Sequence, residues 1–103
     1  MATITREESV RIATAICEQI GKRALFMLGV NQKIVDGNSL ILHIRGSKAY
    51  NRIRITLNSM DLYDMEFYKV HNYKTIREAE EKGVYGDMLC RTIERHTGLR
   101  TSL

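Results

Sequence analysis

Residues 51–67 read NRIRITLNSMDLYDMEF, and the alternation within them decides the fold. Ile53, Ile55 and Leu57 share one face of an extended segment, with Arg52, Arg54 and Thr56 on the other. Asn58-Ser59-Met60-Asp61 marks a turn, after which Tyr63, Met65 and Phe67 resume the apolar side opposite Asp64, Glu66 and Tyr68. A period of two in neighbouring segments joined by a short turn predicts an antiparallel pair with one apolar face. Toward the N-terminus, the turn signal Asp36-Gly37-Asn38 precedes a third alternating segment, Ser39 to Arg45, with Leu40, Leu42 and Ile44 against Ile41, His43 and Arg45. Three strands joined by turns of a few residues form a meander. The apolar run Ala24 to Leu28, bounded by Gly29, has the length of a buried strand and also of a helical turn, so the meander has three or four strands.

Helix signals flank this sheet. Thr5 and Glu8 form a capping box, in which hydroxyl and carboxylate each satisfy an orphan backbone N–H. Val10, Ala13, Ile16, Cys17 and Ile20 follow at helical spacing until Gly21, predicting a helix over 6–20. A second box, Thr75 with Glu78, predicts a short polar helix over 76–82 closed by Gly83. Tyr85, Met88, Leu89, Thr92, Ile93 and His96 form a stripe predicting a last helix near 84–97, stopped by Gly98 with Leu99 folding back. Asp87 near its start and Arg91 and Arg95 near its end complement the helix dipole. The fold class is therefore α+β: an N-terminal helix, a three- to four-stranded antiparallel meander, and a short helix and a C-terminal helix packed on one sheet face.

With 103 residues, 44% of them hydrophobic, 27% charged and none proline, the chain has the size and balance of one domain over 1–103 with one core. Cys17 and Cys90 stand far apart and outside any metal-ligand or redox spacing, so both are expected as free, partly buried thiols. No leader pattern and no apolar run near the length of a bilayer span is seen, which points to the cytosol and away from a membrane. The net charge of +4 is unevenly placed. Residues 1–36 have five basic and four acidic side chains, residues 61–103 have seven and eight, and residues 37–60 hold Arg45, Lys48, Arg52 and Arg54 with no acid.

Catalytic chemistry finds little support. Asp61, Asp64, Glu66 and Lys69 resemble the carboxylates and lysine of a metal-dependent nuclease, but Glu66 and Lys69 are three apart and project to opposite faces of a strand. Arg52 and Arg54 are placed to pair with Asp64 and Glu66 across the sheet, which gives the acids a structural purpose. His43, His71 and His96 have no acid at a spacing that forces contact, and Ser39, Ser47 and Cys90 sit in no nucleophile elbow. Cys90 lies off the apolar stripe of the last helix, which leaves room for a reactive thiol. Gly29, Gly37 and Gly46 are single, so no phosphate-binding loop is built, and no catalytic residue, metal or cofactor is expected.

The acid-free hairpin 37–60 is the candidate binding surface. Its polar face would show His43, Arg45, Arg52 and Arg54, and its loop would offer Lys48 and Tyr50, the tyrosine for stacking and the cations for phosphates. Helix, three strands and helix also match the double-stranded RNA-binding fold in outline. That family's basic cluster at the start of its last helix is replaced here by Gly83-Val84-Tyr85-Gly86-Asp87.

The runs ITLNSMDLYDMEF over 55–67 and GVYGDML over 83–89, with Thr97-Gly98-Leu99 and the ending Thr101-Ser102-Leu103, resemble a family of small bacteriophage and prophage proteins with no assigned activity. The resemblance implies a mobile-element protein acting in the cytoplasm of a bacterial host. It places first a non-enzymatic accessory protein that occupies a host or phage protein, or a protein–nucleic-acid complex, including defence machinery. A nucleic-acid-binding protein using hairpin 37–60 comes second, and a metal-dependent nuclease a distant third. Free edge strands in a small sheet leave room for pairing with a second copy.

Overall fold

A computed structural model describes residues 5–45 and 47–101. Helix α1 (Arg6–Ile20) starts where the Thr5 hydroxyl accepts from the Glu8 N–H at 3.1 Å, and it buries Ser9, Ala13, Ile16 and Ile20. Val10, assigned to the buried stripe by spacing, faces solvent. At Gly21, φ is +91°, a conformation that suits glycine, and the chain turns there into a second helix, α2 (Lys22–Met27).

The apolar run Ala24–Leu28 is thus helical and not a strand. Leu25 donates to the Gly21 carbonyl at 3.1 Å and Leu28 to that of Ala24 at 2.9 Å. The helical period buries Ala24, Leu25 and Leu28 but turns Phe26 outward, 86% exposed.

Five antiparallel strands follow in sequence order: β1 (Gln32–Asp36), β2 (Ser39–His43), β3 (Arg52–Leu57), β4 (Tyr63–His71) and β5 (Lys74–Val84). Strands β2, β3 and β4 are those predicted, although β2 ends two residues short of Arg45. β1 joins through the Gly37-Asn38 turn, where Gly37 has φ +59°.

β5 replaces the helix expected over 76–82. Asn72 and Tyr73 both have positive φ, 51° and 64°, the backbone of a two-residue hairpin turn whose twist matches that of the flanking strands. The turn returns the chain antiparallel to the open edge of β4, where a ladder from His71↔Lys74 to Tyr63↔Val84 outweighs the local capping signal. Two register shifts, one beside Ile76 and one beside Gly83, fit the longer β5 to β4.

All helices lie on one sheet face. Leu40, Leu42, Ile53, Ile55, Met65 and Phe67 from β2 to β4 meet Ile16, Ile20, Leu28, Leu89 and Ile93 in a single apolar cluster. The predicted last helix divides into a 3-10 turn, Gly86–Met88, and helix α3 (Leu89–Thr97), which ends at Gly98 with φ +73°. Tyr85 is exposed, so the stripe begins to count only at Met88. Glu81, on the helix side of β5, binds Arg95 and, at 3.2 Å, His96 Nε2, and so ties α3 to the sheet edge.

Candidate functional site

The second sheet face is uncovered, and register aligns its side chains in cross-strand rows. One row runs Gln32, His43, Arg52, Tyr68, Glu78, and the next Ile34, Ile41, Arg54, Glu66, Glu80. Ile34, Ile41, His43, Arg52, Arg54, Tyr68, Val70 and Thr75 line a shallow depression of about 310 Å³. The face is therefore basic over β2 and β3 and acidic over β4 and β5, with Ile34, Ile41, Tyr68 and Val70 as its apolar members. These come from β1, the polar side of β2 and the far end of β4, so no single strand shows them as a group.

Arg54 donates to Asp36 Oδ2 at 2.9 Å rather than to Glu66, its register partner. Glu66 instead accepts the Tyr68 hydroxyl. Partial burial, and then this bond to Glu66, push the Tyr68 hydroxyl up to about 12. Asp64 is held by Asn58 Nδ2 at 3.1 Å and by the Gly83 N–H at 3.0 Å, and Arg52 donates to the Asn51 carbonyl at 3.1 Å. The expected pairing of Arg52 and Arg54 with Asp64 and Glu66 is therefore not made among the described residues. Partial burial, with Arg52 beside it, lowers the pKa of His43 below 6.5 and favours the neutral ring at neutral pH.

Of the six predicted binding residues, His43, Arg52 and Arg54 meet on the open face. Arg45 and Lys48 are exposed beyond the end of β2. The Arg45 N–H donates to the carbonyls of Gly29 at 3.1 Å and Leu28 at 3.3 Å, drawing the chain off the sheet. Gly46 lies outside the described residues.

Tyr50 is not free to stack on a ligand. Its ring packs 5.7 Å from that of Phe67 and 6.4 Å from that of His96, against the core. Ser47 explains the inward path: its buried hydroxyl donates to the Thr97 carbonyl at 3.0 Å and accepts the N–H groups of Ala49 and Tyr50, both at 3.2 Å.

Elsewhere, Cys17 and Cys90 are free. Cys90 Sγ donates to the Ile20 carbonyl at 3.2 Å, and burial pushes its thiol pKa up, which works against nucleophilic use. Asp61, Asp64, Glu66 and Lys69 do not converge, and among the described residues no three His, Cys, Asp or Glu side chains group as metal ligands would. Among these residues, too, no helix is long and apolar enough to cross a membrane. The start of the last helix, which has Asp87 and no lysine cluster, parts this chain from the double-stranded RNA-binding pattern, and so does a sheet of five strands whose last, β5, runs through Val84. The sequence matches no family model, no curated protein and no solved structure.

Proposed function

We propose that the protein acts by binding, without chemistry of its own, and that the open sheet face over β1 to β4 holds its partner. One observation carries the reading: every helix lies on the other face, leaving Ile34, Ile41, Tyr68 and Val70 half-covered among His43, Arg52 and Arg54. Apolar side chains beside two arginines and a histidine, on an uncovered strand surface, have the composition of a protein-binding patch. The partner is a host or phage protein with an acidic rim, and the protein is an accessory factor of a phage or other mobile element in a bacterial cytoplasm. The motifs over 55–67 and 83–89 support that context.

The test is capture of bacterial proteins by the wild type and by Ile41→Glu/Arg52→Glu, both checked for folding. Neither substitution touches the core, so the variant should fold, keep its helices and lose the partner. Identical captured sets from the two proteins would contradict the reading.

A further inference from the structure

The β4–β5 hairpin continues past the rest of the sheet at the end where β3 begins. There the Asn51 side chain takes over from strand pairing, with Nδ2 donating to the Val70 carbonyl and Oδ1 accepting its N–H, both at 2.9 Å. Beyond Val70 the two strands have only each other. On the side that continues the Phe67–Ala79 row, register sets Lys69 directly opposite Arg77 and His71 opposite Lys74.

Like charges directly opposite one another destabilise a sheet. Residues 67–77, FYKVHNYKTIR, contain no acid to offset this. Among the described residues no carboxylate lies within 4.0 Å of Lys69, Lys74 or Arg77, since the ion pairs there belong to Arg54, Arg95 and His96. At the tip, Tyr73 holds φ +64° with its ring fully in water, 103% exposed, and Ile76 is 63% exposed at the neighbouring register shift. Repelling cations and a bare aromatic ring are both unfavourable in water alone. A polyanion whose groove presents apolar base edges such as thymine methyls reverses both.

We propose that the outer half of this hairpin is a ribbon that binds duplex DNA, with Lys69, Lys74 and Arg77 along the phosphates and Tyr73 entering the groove. A two-stranded ribbon fits the major groove of B-form DNA, whereas the corresponding groove of an RNA duplex is too narrow for side chains to read. Lys69 and Arg77 project to the side opposite Arg52 and Arg54, so this surface is distinct from the open face.

Fluorescence anisotropy with a labelled DNA duplex of two helical turns, its single strands and the matching RNA duplex tests this across a salt series. The wild type should prefer the DNA duplex. Lys69→Gln/Arg77→Gln should weaken binding by at least ~10-fold and lower the log–log salt slope by about two, one for each cation removed. Tyr73→Ala should weaken binding with the slope unchanged. Lys22→Gln/Arg23→Gln, an equal charge change on exposed α2, should bind as the wild type does. Removing the Lys69–Arg77 repulsion should leave the hairpin variant at least as resistant to heat as the wild type, so lost binding cannot be lost folding. The proposal is overturned by no binding to the DNA duplex at low salt, by tighter binding to single strands or RNA, or by equal loss in the α2 variant. None of these results bears on capture through the open face.

Discussion

At the scale of single residues, the loop after β2 shows how much one hydroxyl organises. Ser47 makes three hydrogen bonds from a buried position and fastens the loop to the end of α3. Ser47→Ala leaves the Thr97 carbonyl and two loop N–H groups short of a partner, and should cost about 1–3 kcal/mol in urea unfolding. His43 should titrate below 6.5 by NMR. Because its folded pKa is lowered, the unfolded chain takes up the proton first, and the stability present above pH 6.5 declines as pH falls toward the folded value. His43→Gln should flatten that decline between pH 7.5 and 5.5, as read from urea midpoints. Cys90, with its pKa raised by burial, should react with a disulfide reagent more slowly in the native protein than after unfolding.

At the scale of elements, β5 is the instructive case. Its sequence, KTIREAEEKGV, has a capping box and good helix formers, and it lacks the apolar alternation that marks a half-buried strand, since only Val84 is fully buried. What makes it a strand is the Asn72-Tyr73 turn and the open edge of β4, neither visible in a window of ten residues. Tyr73 at φ +64° is strained relative to glycine, so Tyr73→Gly should stabilise the protein by up to ~1 kcal/mol in thermal or urea unfolding. A helix over 76–82 would gain nothing from that change. β1 was equally hidden, because an edge strand with the burial of Gln32-Lys33-Ile34-Val35-Asp36 has no apolar face to announce it. The alternating segments around 39–67 and the Thr5 cap were legible because there local pattern and tertiary burial agree.

On the scale of the whole molecule, the sequence located the charge but not its use. The acid-free window 37–60 does build β2 and β3 of the open face, yet Tyr50 turns inward and Arg54 is taken by Asp36 from a strand that sequence pattern did not reveal. The apolar half of the candidate site, Ile34 and Ile41 with Tyr68 and Val70, depends on cross-strand register and so appears only in the folded sheet. Helices on one side and an unshielded mixed face on the other are the central claim about how the protein works. The most direct measurement is photo-crosslinking in bacterial cells, with a benzophenone amino acid placed at Ile41 on the open face and, separately, at Phe26 on exposed α2. A discrete protein adduct is expected from position 41 and none of that size from position 26. Adducts from position 26 alone would contradict the claim.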